Sequence, residues 1–88
     1  MSADHLRLRV RTPERELVEA EVREVTAAGT WGQIGVLPDH AALMTALEPG
    51  ELSYRADAGV VRLRLGGGFA EVRDNAMTVL AESGEAEG

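Results

Sequence analysis

Four residues carry the side chains that hydrolytic or metal chemistry requires: His5, Asp39, His40 and Ser53. A serine becomes a nucleophile when a histidine acts as its base and a third group orients that histidine, and zinc sites combine histidine with cysteine or carboxylate ligands. Neither site is indicated here. The two histidines are far apart in the sequence, no third nitrogen or sulfur ligand accompanies them, and the spacing places no oriented base beside Ser53. We therefore expect no catalytic residue, no metal and no cofactor.

The run Gly66, Gly67 and Gly68 has the composition of a phosphate-binding loop. Such a loop continues into Gly-Lys-Ser/Thr and then into a helix whose N-terminus binds the phosphate. This sequence contains no lysine, and the residues after the run have the pattern of a strand. We therefore interpret the three glycines as a break between two strands.

Composition excludes several classes of protein. The chain has 88 residues, no cysteine and a formal net charge of −6, so it is one domain without disulfides or thiolate metal sites and fits a reducing compartment, the cytoplasm. An acidic chain with one Trp, one Tyr and one Phe argues against nucleic acid as a partner. No apolar run reaches the roughly 18 residues of a membrane-spanning helix, and the start lacks the pattern of a signal peptide. We therefore expect no direct membrane insertion.

Short strands are predicted to position these residues. Apolar and polar side chains alternate over residues 5–11, with leucine and valine on one side and arginine on the other, which is typical of a half-buried strand. The same period in residues 51–56 and 61–65 predicts a β-hairpin, and residues 77–81 would close the sheet. Turn residues separate these runs at positions 12–15, 57–59 and 74–75. The pattern predicts an all-β sandwich or barrel.

Residues 19–27 are ambiguous, because their Glu, Ala and Arg favour helix whereas their Val and Thr favour strand. We interpret them as strand, since a helix would lack a good cap at Val18 and would have only a narrow apolar stripe. A second strand is expected to start near Glu16 and to run towards this segment. Four glycines and two prolines interrupt residues 27–52, so residues 34–37 and 41–47 are expected to form short strands or a single turn.

The last third of the chain leads to two further expectations. Phe69 and Val72 differ in parity along their strand, so burial of both would require a β-bulge near the glycines. The residues after Glu82 are acidic and small. We expect a domain over residues 1–82, followed by a flexible acidic tail over residues 83–88.

Two features of the predicted surface have alternative interpretations. The arginine rows on two strands are expected to be solvated faces, paired across strands with Glu16, Glu71 or their neighbours, although one row could lie against a partner subunit. Trp31 lies between Gly29 and Gly32 in a loop, where it could either plug the local structure or remain exposed for binding.

Three motifs occur at characteristic separations: GVLPxHA at residues 35–41, PGEL at residues 49–52 and GGF at residues 67–69. Together with their surroundings they resemble the amino-terminal β-sandwich domain of the epsilon subunit of rotary F-type ATP synthases, over nearly the whole chain. The resemblance implies an all-β fold, a flattened antiparallel β-sandwich of about ten short strands. It also implies a place in the central stalk, bound to the gamma subunit and standing on the ring of c subunits.

The function implied by the resemblance is that of a non-catalytic rotor subunit. Such a subunit is peripheral at the cytoplasmic face of the cell membrane and couples ion-driven rotation to ATP synthesis. When the contact positions of the family are transferred to this sequence, the residues facing the c ring are Thr30, Trp31, Gln33 and His40. Those facing gamma are Thr12 and Thr45. No nucleotide is expected to bind.

The sequence also departs from the family pattern. It has Gln33 where an acidic residue is common, and Asp39 and Ala42 where glycine and proline often occur. Family members usually continue into a carboxy-terminal pair of helices, and without that pair we expect neither ATP binding nor inhibition of ATP hydrolysis. The rival interpretation is a free-standing β-sandwich that binds a ligand or metal. Copurification with gamma would favour the rotor subunit, and a ligand-induced shift in melting temperature would favour the rival.

Overall fold

The computed structural model describes residues 3–87, which form ten β-strands. Residues 19–27 are strand, as predicted, with Arg23 separating two strands. Among residues 3–87 there is no helix with the length and hydropathy needed to cross a membrane. The strands are β1 (Leu6–Arg11), β2 (Glu16–Val22), β3 (Glu24–Gly29), β4 (Gly32–Val36), β5 (Leu43–Leu47), β6 (Gly50–Ala56), β7 (Gly59–Leu65), β8 (Gly68–Arg73), β9 (Ala76–Ala81) and β10 (Gly84–Ala86).

The strands form two layers, and hydrogen-bonded strand pairing continues without a break from one layer into the other. One layer contains β4, β3, β6, β7 and β10, and the other contains β5, β8, β9, β1 and β2. The layers join where Gly29 of β3 pairs with Leu47 of β5, and the Glu48 amide donates to the Ala28 carbonyl oxygen at 2.9 Å. The pairs are antiparallel, as predicted, except that β1 lies parallel to β9.

The core lies between the layers and is aliphatic. Leu8, Val10 and Val79 from one layer form a single cluster with Val25 and Leu52 from the other. Each of these five side chains is fully buried, and none of the polar side chains in the described part of the chain is buried. Burial of aliphatic surface is worth about 25 cal/mol per Å², so this cluster is the main stabilising element.

The glycine run separates β7 from β8 along the chain, as predicted. Gly68 begins β8 with φ 155°, and a Cβ at this position would collide with the carbonyl oxygen of Leu80 in β9. Only glycine therefore permits β8 to start so close to β9.

The bulge considered at the glycines is not present. Phe69 is 42% exposed whereas Ala70 and Val72 are buried, so β8 alternates regularly and keeps one register with both neighbours. The register shifts instead between β1 and β2, at Val10 and Arg11.

The residues after Glu82, expected to form a flexible acidic tail, include Gly84–Ala86, which form β10 and pair with β7. The amide of Gly66 donates to the Ser83 carbonyl oxygen at 2.9 Å, and the Glu87 amide donates to the Arg62 carbonyl oxygen at 3.0 Å. Small residues permit this pairing, because a Cβ on Gly84 would lie 2.8 Å from the Leu17 side chain. The matched partner on β7, rather than local propensity, makes this segment a strand.

We predict that Leu63→Ala lowers the free energy of unfolding by about 2–5 kcal/mol, because it removes a buried side chain from β7 and leaves a cavity. Leu80→Ala is the matched control: Leu80 is 56% exposed, so the same truncation should cost about 0.5 kcal/mol or less. Urea unfolding followed by far-ultraviolet circular dichroism measures both. Equal losses in the two variants would contradict the assigned core.

Candidate interaction surfaces

The residues considered for catalysis or metal binding do not form a common site. His5 Nε2 lies 3.1 Å from Asp57 Oδ1, which also accepts a hydrogen bond from Arg23 Nε at 2.6 Å. Ser53 Oγ lies 2.6 Å from Thr26 Oγ1, and His40 Nδ1 donates to the Ala41 carbonyl oxygen at 2.7 Å. Within residues 3–87, no group of three or more His, Asp or Glu is arranged to hold a metal ion.

An apolar row crosses the outer face of β5, β8 and β9. The strand register places Ala46 beside Phe69 and Phe69 beside Leu80. Phe69 and Leu80 are 42% and 56% exposed, and Met44, two positions before Ala46, is 64% exposed. We call Met44, Ala46, Phe69 and Leu80 the apolar row. Aliphatic and aromatic side chains adjacent on one exposed face are typical of a surface that binds another protein.

A groove of about 350 Å³ lies at the Leu80 end of the apolar row. Its walls are largely apolar and come from Leu80 and Ala81 of β9 and from Thr12 and Pro13 in the β1–β2 turn, together with the charged residues Arg11 and Glu82. The turn is fixed, because Thr12 Oγ1 both donates to the Arg15 carbonyl oxygen and accepts from the Arg15 amide, each at 3.2 Å. The groove and the apolar row therefore form one continuous surface on a rigid scaffold.

The outer face of the other layer is polar. Arg62 lies 3.9 Å from Glu51, and Arg55 lies 3.7 Å from Glu24. These ion pairs are exposed, so each contributes little to stability. They do, however, keep this face hydrated, in contrast to the apolar row.

The predicted cross-strand pairing of the arginines is confirmed for most positions. Arg7, Arg9 and Arg11 of β1 form ion pairs with glutamates of β2, the shortest being Arg11 Nε to Glu16 Oε1 at 2.9 Å. Glu71, also named as a partner, takes part in no ion pair among the residues described. It lies between Met44 and Thr78 in the strand register.

Thr30 and Trp31 form the turn between β3 and β4, and Trp31 is 97% exposed. Of the two alternatives for Trp31, exposure is therefore correct. Thr30 Oγ1 donates to the Ala46 carbonyl oxygen at 3.4 Å, which holds the tip of this hairpin beside one end of the apolar row. Gln33 is also exposed, on β4, paired in register with Ala28 of β3.

His40 lies beyond the opposite end of β4. Strands rise by about 3.3 Å per residue, so the six steps from Trp31 to Leu37 span about 20 Å. The structure therefore does not bring Trp31 and His40 together. The four residues assigned to the c ring are spread along the length of β4.

The two threonines assigned to gamma lie near the apolar row in different ways. Thr12 lines the groove beside Leu80. Thr45 lies between Met44 and Ala46 but has the opposite parity, so it is half-buried, and its Oγ1 lies 3.2 Å from the Ala46 carbonyl oxygen. Sequence reasoning missed Phe69, Leu80 and Met44 as surface residues. Taking Ala70 and Val72 as the inward side of β8 would have identified Phe69.

Comparison with known proteins assigns the fold to a family. The family described as ATP synthase, Delta/Epsilon chain, beta-sandwich domain matches residues 5–87. The chain belongs to this family. ATP synthase epsilon chains of Geotalea daltonii and Carboxydothermus hydrogenoformans are 42% and 43% identical over 83 residues, 94% of this chain. The chain spans 60% and 62% of the length of those two relatives.

Solved structures agree with this family on the fold. A chain of the Euglena gracilis mitochondrial ATP synthase, determined as OSCP/F1/c-ring, superimposes with a TM-score of 0.90 at 22% identity. That match covers 98% of this chain and 56% of the Euglena chain. A chain of the Tetrahymena thermophila mitochondrial ATP synthase, central stalk/cring, gives a TM-score of 0.80 at 19% identity, over 97% of this chain and 69% of that one.

The cluster around Asp57 predicts a dependence of stability on pH. The hydrogen bond to His5, and then that from Arg23, lowers the pKa of Asp57 below its ordinary value. A carboxyl group whose pKa is lower in the folded state stabilises the fold above its unfolded pKa, about 3.9, and this stabilisation is lost as pH falls through the folded pKa.

We therefore expect Asp57→Asn to unfold at lower urea concentration than wild type at pH 6, with the difference disappearing as the pH falls below about 3.9. The measurement is urea unfolding of both proteins across that range. Asp74→Asn removes one carboxylate from a side chain that is 93% exposed, and controls for the loss of one negative charge. A difference between Asp57→Asn and wild type that stays constant with pH would contradict the assigned ion pairs.

Proposed function

We propose that this chain forms the β-sandwich part of a non-catalytic rotor subunit of an F-type ATP synthase. It binds the gamma subunit and the ring of c subunits, and it helps to couple ion-driven rotation to ATP synthesis. Family membership and the names of the relatives support this assignment. In this role the chain is peripheral at the cytoplasmic face of the cell membrane and requires neither cofactor nor nucleotide.

The apolar row is the observation that carries the proposal. Permanent protein–protein interfaces are more apolar than the average protein surface, and aromatic and aliphatic anchors dominate their binding energy. Phe69 and Leu80 lie side by side on one rigid face, and the groove at Thr12 and Pro13 adjoins them. We assign this face to gamma, because Thr12 and Thr45, the residues that the resemblance places towards gamma, lie at this face.

The positions of Thr12 and Thr45 fit the assignment to gamma in part. Thr12 lines the groove, but its hydroxyl already donates one hydrogen bond and accepts another within the β1–β2 turn, so its methyl group is the main part available to a partner. Thr45 is half-buried, so it acts mainly by setting the course of β5. The binding energy on this face then comes from Met44, Phe69 and Leu80.

We assign the contacts with the c ring to the surface along β4. Trp31 supplies a large exposed indole at one end, Gln33 a neutral amide in the middle, and His40 an imidazole near the other end. Gln33 stands where the family commonly has an acidic residue. Contact at this position is therefore through hydrogen bonds rather than ion pairs, and should depend little on salt concentration.

The two surfaces lie on one body with a continuous aliphatic core. A torque that enters along β4 reaches the apolar row through the strand pairs β4–β3 and β3–β5 and through the core between the layers. Densely packed cores deform little, so the force is transmitted rather than absorbed. On this view, the chain couples rotation to ATP synthesis by binding its two partners at two surfaces of one stiff domain.

We expect the double variant Phe69→Ala, Leu80→Ala to weaken binding to purified gamma about tenfold or more, because it truncates both anchors of the apolar row. Val60→Ala, Val61→Ala is the matched control, since these side chains are 51% and 39% exposed but lie on β7, in the other layer. Isothermal titration calorimetry gives both dissociation constants. Wild-type affinity in the first variant, or equal losses in the two, would contradict the assignment.

Because the assigned ring contacts lie at opposite ends of β4, we expect Trp31→Ala and His40→Ala each to weaken binding to purified c ring, and to do so additively. Neither change should alter affinity for gamma, because both residues lie outside the apolar row. Binding to detergent-solubilised c ring, measured by biolayer interferometry, tests this expectation. A ring affinity that is unchanged in both single variants would remove β4 as the contact surface.

A further inference from the structure

The turn between β8 and β9 consists of Asp74 and Asn75, with φ angles of 52° and 58°. Two successive residues with positive φ form a type I′ turn, which joins antiparallel strands tightly and favours Asn, Asp and Gly. This requirement accounts for the backbone of Asn75. It does not account for its side chain, because glycine would satisfy the same φ.

The side-chain amide of Asn75 makes two hydrogen bonds outside its own hairpin. Asn75 Nδ2 donates to the carbonyl oxygen of His5, which precedes β1, at 2.8 Å. Asn75 Oδ1 accepts from the backbone amide of Asp39, in the β4–β5 loop, at 2.8 Å. One partner is an acceptor and the other a donor, and an amide satisfies both, whereas an ionised aspartate could only accept.

Asp39 belongs to a turn that receives little other support. Residues 37–42 lie between β4 and β5 without strand pairing, and the His40 amide donates to the Leu37 carbonyl oxygen at 3.1 Å within the turn itself. Among residues 3–87, two hydrogen bonds link this loop to other segments, and both involve Asp39. The second joins Asp39 Oδ2 to the Ala3 amide at 2.7 Å.

We propose that Asn75 is a positioning residue for partner binding, which acts by holding the Leu37–His40 turn in its binding conformation. The turn presents Leu37, which is 54% exposed, together with His40. A loop that is ordered before binding loses less conformational entropy in the complex, so a tether at its centre raises affinity without touching the partner. The identity of that partner, the c ring, rests on the proposed function.

The variant Asn75→Gly distinguishes the positioning role of the Asn75 side chain from the need for positive φ in the β8–β9 turn. Glycine keeps the type I′ turn but removes both side-chain hydrogen bonds. Asp74→Gly is the matched control, because it makes the same change one residue earlier, at similar φ, where the side chain is 93% exposed and its ion pair with Arg73 is 4.0 Å long. Any effect of added backbone freedom in the hairpin should be common to both variants.

Three measurements on the purified chain test the proposal: amide hydrogen exchange at Asp39 by nuclear magnetic resonance, affinity for purified c ring, and affinity for gamma. In Asn75→Gly we expect exchange at Asp39 to accelerate about tenfold and ring affinity to fall about tenfold, the effect of about 1.4 kcal/mol. Affinity for gamma should stay at the wild-type value. Asp74→Gly should resemble wild type in all three.

Equal acceleration of Asp39 exchange in the two glycine variants would overturn the positioning role, whatever happens to ring binding. Faster exchange only in Asn75→Gly, combined with unchanged ring affinity in that variant and a loss in His40→Ala, would also overturn it while leaving the proposed function intact. If His40→Ala binds the ring as wild type does, the proposed ring contact fails, and the contribution of Asn75 to that contact fails with it.

Discussion

The close approach of Gly68 to the carbonyl oxygen of Leu80 sets the register on which the apolar row depends. Because no side chain fits at this point, Gly68 pairs with Ala81 of β9 on one side and with Leu47 of β5 on the other. Side chains alternate strictly along a strand, so this register turns Ala70 and Val72 into the core and Phe69 outwards. A slip of one residue would bury Phe69 and expose the two core residues. The apolar row is thus a consequence of where the glycine run ends.

The contrast between the apolar row and the charged positions of the other layer follows from the same alternation. In the layer that contains β8 and β9, the outward positions near the glycines are Phe69 and Leu80. In the layer that contains β6 and β7, outward positions such as Glu51 and Arg62 form ion pairs across the strands. Water solvates these ion pairs well and the apolar row poorly, so a protein partner gains most by covering the apolar row. Arg11 of β1 pairs in register with Leu80 and forms an ion pair with Glu16, so the apolar row ends at a charged edge and covers only part of its face.

The sequence predicts elements defined by local periodicity and misses those defined by tertiary partners. The strands around Leu8 and Leu63 alternate so regularly that their faces are evident from residues alone. Gly84–Ala86 has no such pattern, and it becomes a strand because β7 offers a paired edge and Leu17 requires the space above Gly84. The candidate site divides in the same way. Exposure of Trp31 was one of two predicted alternatives, whereas its separation from His40 depends on the extended course of β4, and the apolar row depends on a register that joins distant segments.

Asp39 is the residue of the β4–β5 loop that holds the loop in place. It has a φ of 64° at a position where the family resemblance leads one to expect glycine, and a left-handed conformation costs a residue with a Cβ roughly 1–2 kcal/mol. Two hydrogen bonds, from Ala3 to its carboxylate and from its amide to Asn75, contribute about 0.5–1.5 kcal/mol each, which is enough to offset that strain. Glycine would remove the strain, but it would also lose the carboxylate bond and leave the backbone freer in the unbound state. With aspartate at this position the backbone is strained, but the loop gains a second hydrogen bond to the rest of the domain. The Leu37–His40 turn is therefore held by both the amino-terminal segment and the β8–β9 turn.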